Sequence, residues 1–170
     1  MNLELAKQRL TQNAATIQSM VAWVSQEQAQ WRPSADDWSL LEVVNHLYDE
    51  ERLDFRVRLG LILQDPALPW PAIHPSAWVT ERRYNERDLA ESLGDFLRER
   101  QASLAWLDDL HNPDFTLTAT HPAGFVISAG DMLMSWVAHD MLHIRQLNEL
   151  HYQWLGVQER PFSPLYAGEW

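Results

Sequence analysis

The chain has 170 residues, no cysteine, and 13 basic against 24 acidic side chains, for a formal net charge of −11. That length fits one domain, residues 1–170, with a core of its own, and 46% hydrophobic residues set it apart from a disordered chain. The charge argues against binding nucleic acid or an anionic membrane by bulk electrostatics, and with no cysteine any thiol chemistry must arrive with a substrate.

The opening Met1-Asn-Leu-Glu-Leu-Ala-Lys7 has no apolar signal core, and no run of about 18 apolar residues follows, so the cytoplasm is the expected compartment. From about Leu3 to Gln28, Leu3, Ala6, Leu10, Ile17, Val21 and Val24 recur at helical spacing. Trp31 to Trp38, with Pro33 and a polar cluster, reads as a loop. Ser39 and Glu42 then form an S-x-x-E capping box, with Trp38 and Val43 placed as a hydrophobic staple. This second helix is expected to reach about Leu63. Val43, Leu53 and Val57 lie within about 60° of His46 on its wheel, so His46 faces inward. Glu50, one turn on, is the one acid on an otherwise apolar stripe.

Between Gln64 and Arg87, Pro66, Pro69, Pro71 and Pro75 accompany Trp70, Trp78 and Tyr84. This is a crossover too rich in proline for a regular helix, and long enough to pack over the bundle or line a site. Asp88 and Glu91 cap a third helix, whose Leu89, Leu93, Phe96, Leu97, Leu104 and Leu107 face the core up to about Leu110. A connection through Asn112-Pro113 and His121-Pro-Ala-Gly124 leads to Ser128 and Asp131, again a capping pair. The fourth helix is expected over Ala129 to Tyr152. It bears a second apolar stripe on its back, Met134, Val137, Met141 and Ile144, to be covered by the aromatic tail (Trp154, Phe162, Tyr166, Trp170) or by a second subunit. Four amphipathic helices without a strand run make an all-α four-helix bundle with a long proline-rich crossover between the second and third helices.

On the fourth helix, His139 and His143 are four residues apart and share one face with Met132, Trp136, Leu147 and Leu150. Two neutral imidazoles at this spacing are half of a metal site, and His46 on a facing helix can supply the third ligand. Three neutral ligands leave an open position for water or a thiol, the catalytic rather than the structural pattern. The plain alternative is three satisfied core histidines. Glu50 is the candidate catalytic residue: a fourth ligand, a general base, or an acceptor orienting His46, against an ion pair with Arg98 or Arg100 on the third helix. Asp140 makes the pair read His-Asp-x-x-His, near the His-Glu-x-x-His of zinc proteases, but it is one methylene short and no third protease ligand follows. Gln146 lies on the histidine face; Trp38 and Trp136 could wall a pocket. His74, His111, His121 and His151 are read as loop or surface histidines.

Trp38-Ser-Leu-Leu-Glu-Val-Val-Asn-His46-Leu resembles the W-S-x-x-E-x-x-x-H-L opening of the second helix in the DinB/YfiT-like superfamily. His139-Asp-Met-Leu-His143-Ile-Arg-Gln-Leu resembles that family's H-x-x-x-H-x-x-Q motif, and His121-Pro-Ala-Gly the loop leading into it. The resemblance implies a four-helix bundle in which His46, His139 and His143 bind a divalent metal ion: zinc, nickel or manganese. It further implies a metal-dependent transferase or isomerase using a low-molecular-weight thiol such as mycothiol, bacillithiol or glutathione, acting on a small-molecule substrate, and a homodimer in several relatives. A non-catalytic, stress-associated metal-binding dimer and a metal-free bundle holding a hydrophobic ligand are the alternatives.

Overall fold

A computed structural model of the chain describes residues 2–168. Four long helical segments form the bundle: α1 (Leu3–Val21), the pair α3 (Leu40–Glu50) and α4 (Arg56–Gln64) joined end to end, α6 (Leu89–Asp108) and α7 (Ala129–Gln158). Short helices α2 (Gln26–Gln30) and α5 (Pro75–Glu81) lie between them, and strands β1 (Thr118–Thr120) and β2 (Val126–Ser128) pair antiparallel before α7. Among the described residues no helix is long and apolar enough to cross a membrane.

The helix starts follow local chemistry. Asn2 and Asp88 cap α1 and α6 by accepting from the backbone N–H three residues on. Ser39 and Ser128 close full capping boxes with Glu42 and Asp131. Trp38 packs on the apolar cluster that contains Val43. Helix α1 ends at Val21 rather than running to Gln28, because the Ser25 hydroxyl accepts from the Gln28 N–H and begins α2 afresh. The crossover holds a helix after all: Pro75 opens α5, where a missing N–H costs nothing. Trp78, Val79 and Tyr84 anchor this segment to Trp38 and Leu53. The hairpin also departs from a strand-free chain. Gly124 takes a φ of 91° in its turn, with its N–H donating to the His121 carbonyl. Helix α7 continues to Gln158, well past Tyr152.

The core is split in two. One apolar cluster contains Ile17, Leu41, Val44, Phe96 and Leu147, and the other Leu10, Phe55, Leu59, Leu107, Leu133 and Trp136. Between these residues on each long segment lies a polar layer. At its centre is Arg100, only 2% exposed. Its guanidinium donates to Glu51 (2.7 and 2.9 Å), to Asp140 (2.8 and 2.9 Å) and to the Leu10 carbonyl (2.8 Å). The Trp136 indole N–H donates to Glu51 (2.9 Å) and Asn13 to Asp140 (3.2 Å). A π-helical turn, Glu51–Phe55, joins α3 to α4 just here. Its extra residue shifts the helical phase, and such turns are frequent at functional positions.

Arginine keeps its charge even when buried, so the two carboxylates become uncompensated when it is removed. Arg100→Met is expected to cost about 3–5 kcal/mol. Urea denaturation, with Arg98→Met on the exposed side of α6 as the neutral comparison, measures it.

Candidate metal centre

Three histidines meet beside the polar layer. His46 comes from α3; His139 and His143 come from successive turns of α7. The His139 Nε2 lies 3.2 Å from the His46 Nε2 and 3.1 Å from the His143 Nε2, and one ligand atom from each ring lies within 4.8 Å of the others. A ring nitrogen carries one proton or one lone pair, so His139 Nε2 cannot satisfy both neighbours by hydrogen bonding. Nitrogens about 2.0–2.1 Å from a tetrahedral ion sit about 3.3 Å apart, so the two measured edges fit a divalent ion at the centre.

The surroundings hold the rings neutral, as ligands must be. Burial, with His143 nearby, drives the His46 pKa down to about 3. Burial, with His143, His46 and the Arg100 charge, drives His139 to about 2, and burial lowers His143 as well. The His143 Nδ1–H donates to the Gln146 Oε1 (2.8 Å), which leaves the Nε2 lone pair pointing into the cluster. Trp38 sets an edge against His46 (4.9 Å between centroids), and Phe55 lies 5.0 Å from His139 while stacking on Trp136. Trp136 is therefore a core residue tied to Glu51, not a pocket wall. His46 is buried; His139 and His143 are half-buried, so the cluster opens along α7.

Glu50 lies behind His46. Its Oε1 is 4.0 Å from the His46 Nδ1, the nitrogen turned away from the cluster, and neither atom has a hydrogen-bond partner. That position gives it no place in the three-nitrogen cluster, and at this distance it makes no hydrogen bond that would orient His46. The arginine pairing considered for it falls elsewhere. Arg100 pairs with Glu51 and Asp140, and Arg98 with Asp95. Nor is Glu50 the lone acid of its stripe. Glu42, Asp49, Glu51 and Asp54 are buried too, each ion-paired with an arginine: Arg32, Arg52 and Arg82, Arg100, and Arg58. Without such a partner, Glu50 has its pKa pushed up to about 9, by burial first and by Asp54 beside it second. Asp140 points to Arg100, away from any protease-like role.

The remaining histidines are apart. His121 stacks on Phe125 (4.3 Å), with Trp70 edge-on and Arg58 at 3.5 Å. His151 is held between α1 and α7, its Nε2 2.9 Å from the Met20 carbonyl and its ring stacked on Trp23. His74 and His111 are exposed. Hollows of about 510 and 480 Å³ near the end of α1, and one of about 490 Å³ beside α4, include none of the three clustered histidines. A cavity of about 90 Å³ between Trp38 and Gln146 adjoins the centre.

Set against known proteins, residues 9–147 match the model of the DinB superfamily. The chain belongs to the DinB superfamily. Among solved structures it resembles YfiT from Bacillus subtilis, described as a probable metal-dependent hydrolase with an unusual four-helix bundle topology. The TM-score is 0.77 at 22% identity, over 87% of this chain and 85% of that one. At that identity the likeness establishes the fold, and the bundle is the DinB one. No curated protein matches the chain in sequence.

Two expectations follow for this DinB-superfamily bundle. Gln146→Ala frees the His143 ring and is expected to weaken zinc or nickel binding about 10–100-fold, read by chelator competition. In the metal-free protein the unfolded imidazoles titrate near 6.5, but folded His46 and His139 resist protons until about 3 and about 2. Between those values the unfolded chain binds more protons, so stability falls as pH falls below about 6.5. Urea midpoints of chelator-treated protein, from about pH 7 down to about pH 4, are expected to decline less steeply in His139→Gln, which has one such group fewer.

Proposed function

We propose that this protein is a divalent-metal-dependent enzyme that presents a small-molecule thiol to an electrophilic substrate at His46, His139 and His143. The observation that carries the reading is the convergence of three neutral Nε2 atoms with a half-exposed side. A bound zinc, nickel or manganese ion would supply Lewis acidity, lowering the pKa of water or of a thiol placed beside it. Three neutral imidazoles would leave that ion's charge uncompensated, which favours an anionic nucleophile.

The chain's own groups favour a thiol over water. Activation of water for hydrolysis is helped by an ionised base within reach. Glu50, the unpaired acid nearest the centre, sits behind His46 and holds its proton at neutral pH. A thiol brought to a divalent ion ionises without such a base. Glu50 then stands behind His46 and takes no proton from the nucleophile. Gln146 orients His143, and Trp38 and Phe55 keep water from the buried side of the cluster. The chain lacks cysteine, so the thiol would be a cosubstrate.

The hydrolase reading has one support of its own, the structural likeness to YfiT, named as a probable metal-dependent hydrolase. The two readings separate in one assay. Zinc-, nickel- or manganese-loaded protein is offered a model electrophile with and without bacillithiol, mycothiol or glutathione. Thiol consumption lost on chelation and in His139→Ala is the expected result. Turnover of an ester or amide without added thiol supports the hydrolase instead. Tight metal binding with neither activity leaves a structural metal site.

A further inference from the structure

The cavity of about 90 Å³ beside the histidines is lined by groups that the metal centre does not use. One side of α7 supplies Gln146, Glu149 and Gln153, and the loop before α3 supplies Asp37 and Trp38. Helical side chains lean toward the N-terminus, so Glu149 and Gln153 carry their polar ends back toward His143. The two amides act alike. Gln146 fixes the His143 ring, and the Gln153 Nε2 donates to the Glu149 Oε1 (3.2 Å) and fixes that carboxylate.

What the cavity lacks is a cation. Among the described residues neither Asp37 nor Glu149 forms an ion pair, whereas Glu42, Asp49, Glu51 and Asp54 all meet arginines. Arg32, next to Pro33 of the cavity wall, is held by Glu42 (2.9 Å), and Arg145, one turn before Glu149, is exposed and outside the lining. The Gln153 Oε1 is buried with no donor to satisfy it, a costly state for an acceptor. Trp38, packed against His46, adds an aromatic wall, and indole faces attract cations.

Two unpaired carboxylates, an open carbonyl oxygen and an indole all favour one guest, a positively charged group with N–H bonds to donate. We propose that this cavity seats a protonated amine carried by the small-molecule thiol, so that Asp37 and Glu149 choose the cosubstrate whose sulfur lies at the three histidines. The inference rests on the thiol reading of that centre. A thiol bearing a carboxylate would be repelled here, and one whose amine is closed in an amide would leave both acids unpaired.

Thiolate binding to nickel-loaded protein gives a sulfur-to-metal charge-transfer absorption, so affinity is measured without turnover. The protein is expected to bind 4-aminobutane-1-thiol about 10-fold more tightly than its N-acetyl derivative, and 5-mercaptopentanoate least. Glu149→Gln and Asp37→Asn, singly and together, are expected to bring the first ratio toward one while nickel affinity, read by chelator competition, stays unchanged. Glu159→Gln, which removes the same charge at the far end of α7, is expected to leave the ratio as it is. Tighter binding of the carboxylate thiol, a ratio that survives the double variant, or one that falls equally in Glu159→Gln overturns the proposal alone. No absorption with any thiol overturns the thiol reading and this inference with it.

Discussion

The bundle depends on one buried cation. Arg100 reaches across from α6 to Glu51 at the α3–α4 junction, to Asp140 on α7 and to the Leu10 carbonyl on α1. All four long segments meet at one guanidinium, whose rigid fork accepts few geometries. A sliding of any helix would leave a buried charge unpaired, so the contact sets the axial register even if an apolar substitute for the whole group were equally stable. His139 precedes Asp140 directly, and Phe55, which flanks His139, ends the π turn that begins at Glu51. The positions of the ring nitrogens are therefore inherited from the ion layer beneath them.

The same layer explains how a chain with so many acids keeps a tight core. Down α3 and into the π turn, Glu42, Asp49, Glu51 and Asp54 are buried because arginines from the preceding loop, the crossover, α6 and α4 meet them. Tyr84 adds its hydroxyl to Asp49 and so fastens the crossover to α3. Glu50 is the exception, and it is the acid behind His46. Its carboxyl stands 4.0 Å from the far side of that ring, outside the three-nitrogen cluster.

Local rules reached as far as local forces act. Ser39, Asp88 and Ser128 were legible as caps because the cap and its partner are three residues apart, and His139 with His143 because helical period alone puts them on one face. His46 joined them through periodicity on its own helix and through the family motif. The ion layer was not legible. Glu51 falls about 140° from His46 on a helical wheel, and nothing in that period marks the π turn that begins there. Arg100 sits on α6 among polar neighbours, with nothing in the sequence to mark its partners 40 and 49 residues away. The α5 helix and the hairpin are held by Trp78, Tyr84 and the β1–β2 ladder, contacts of the folded chain that spacing does not display.

Helix α7 divides its surface by angle. His139 and His143 face the centre, Asp140 and Leu147 face the ion layer and the core, and Met141 lies about 200° around the axis from His139. The two ring nitrogens that this helix carries are thus set by the same turn that sends Asp140 to Arg100.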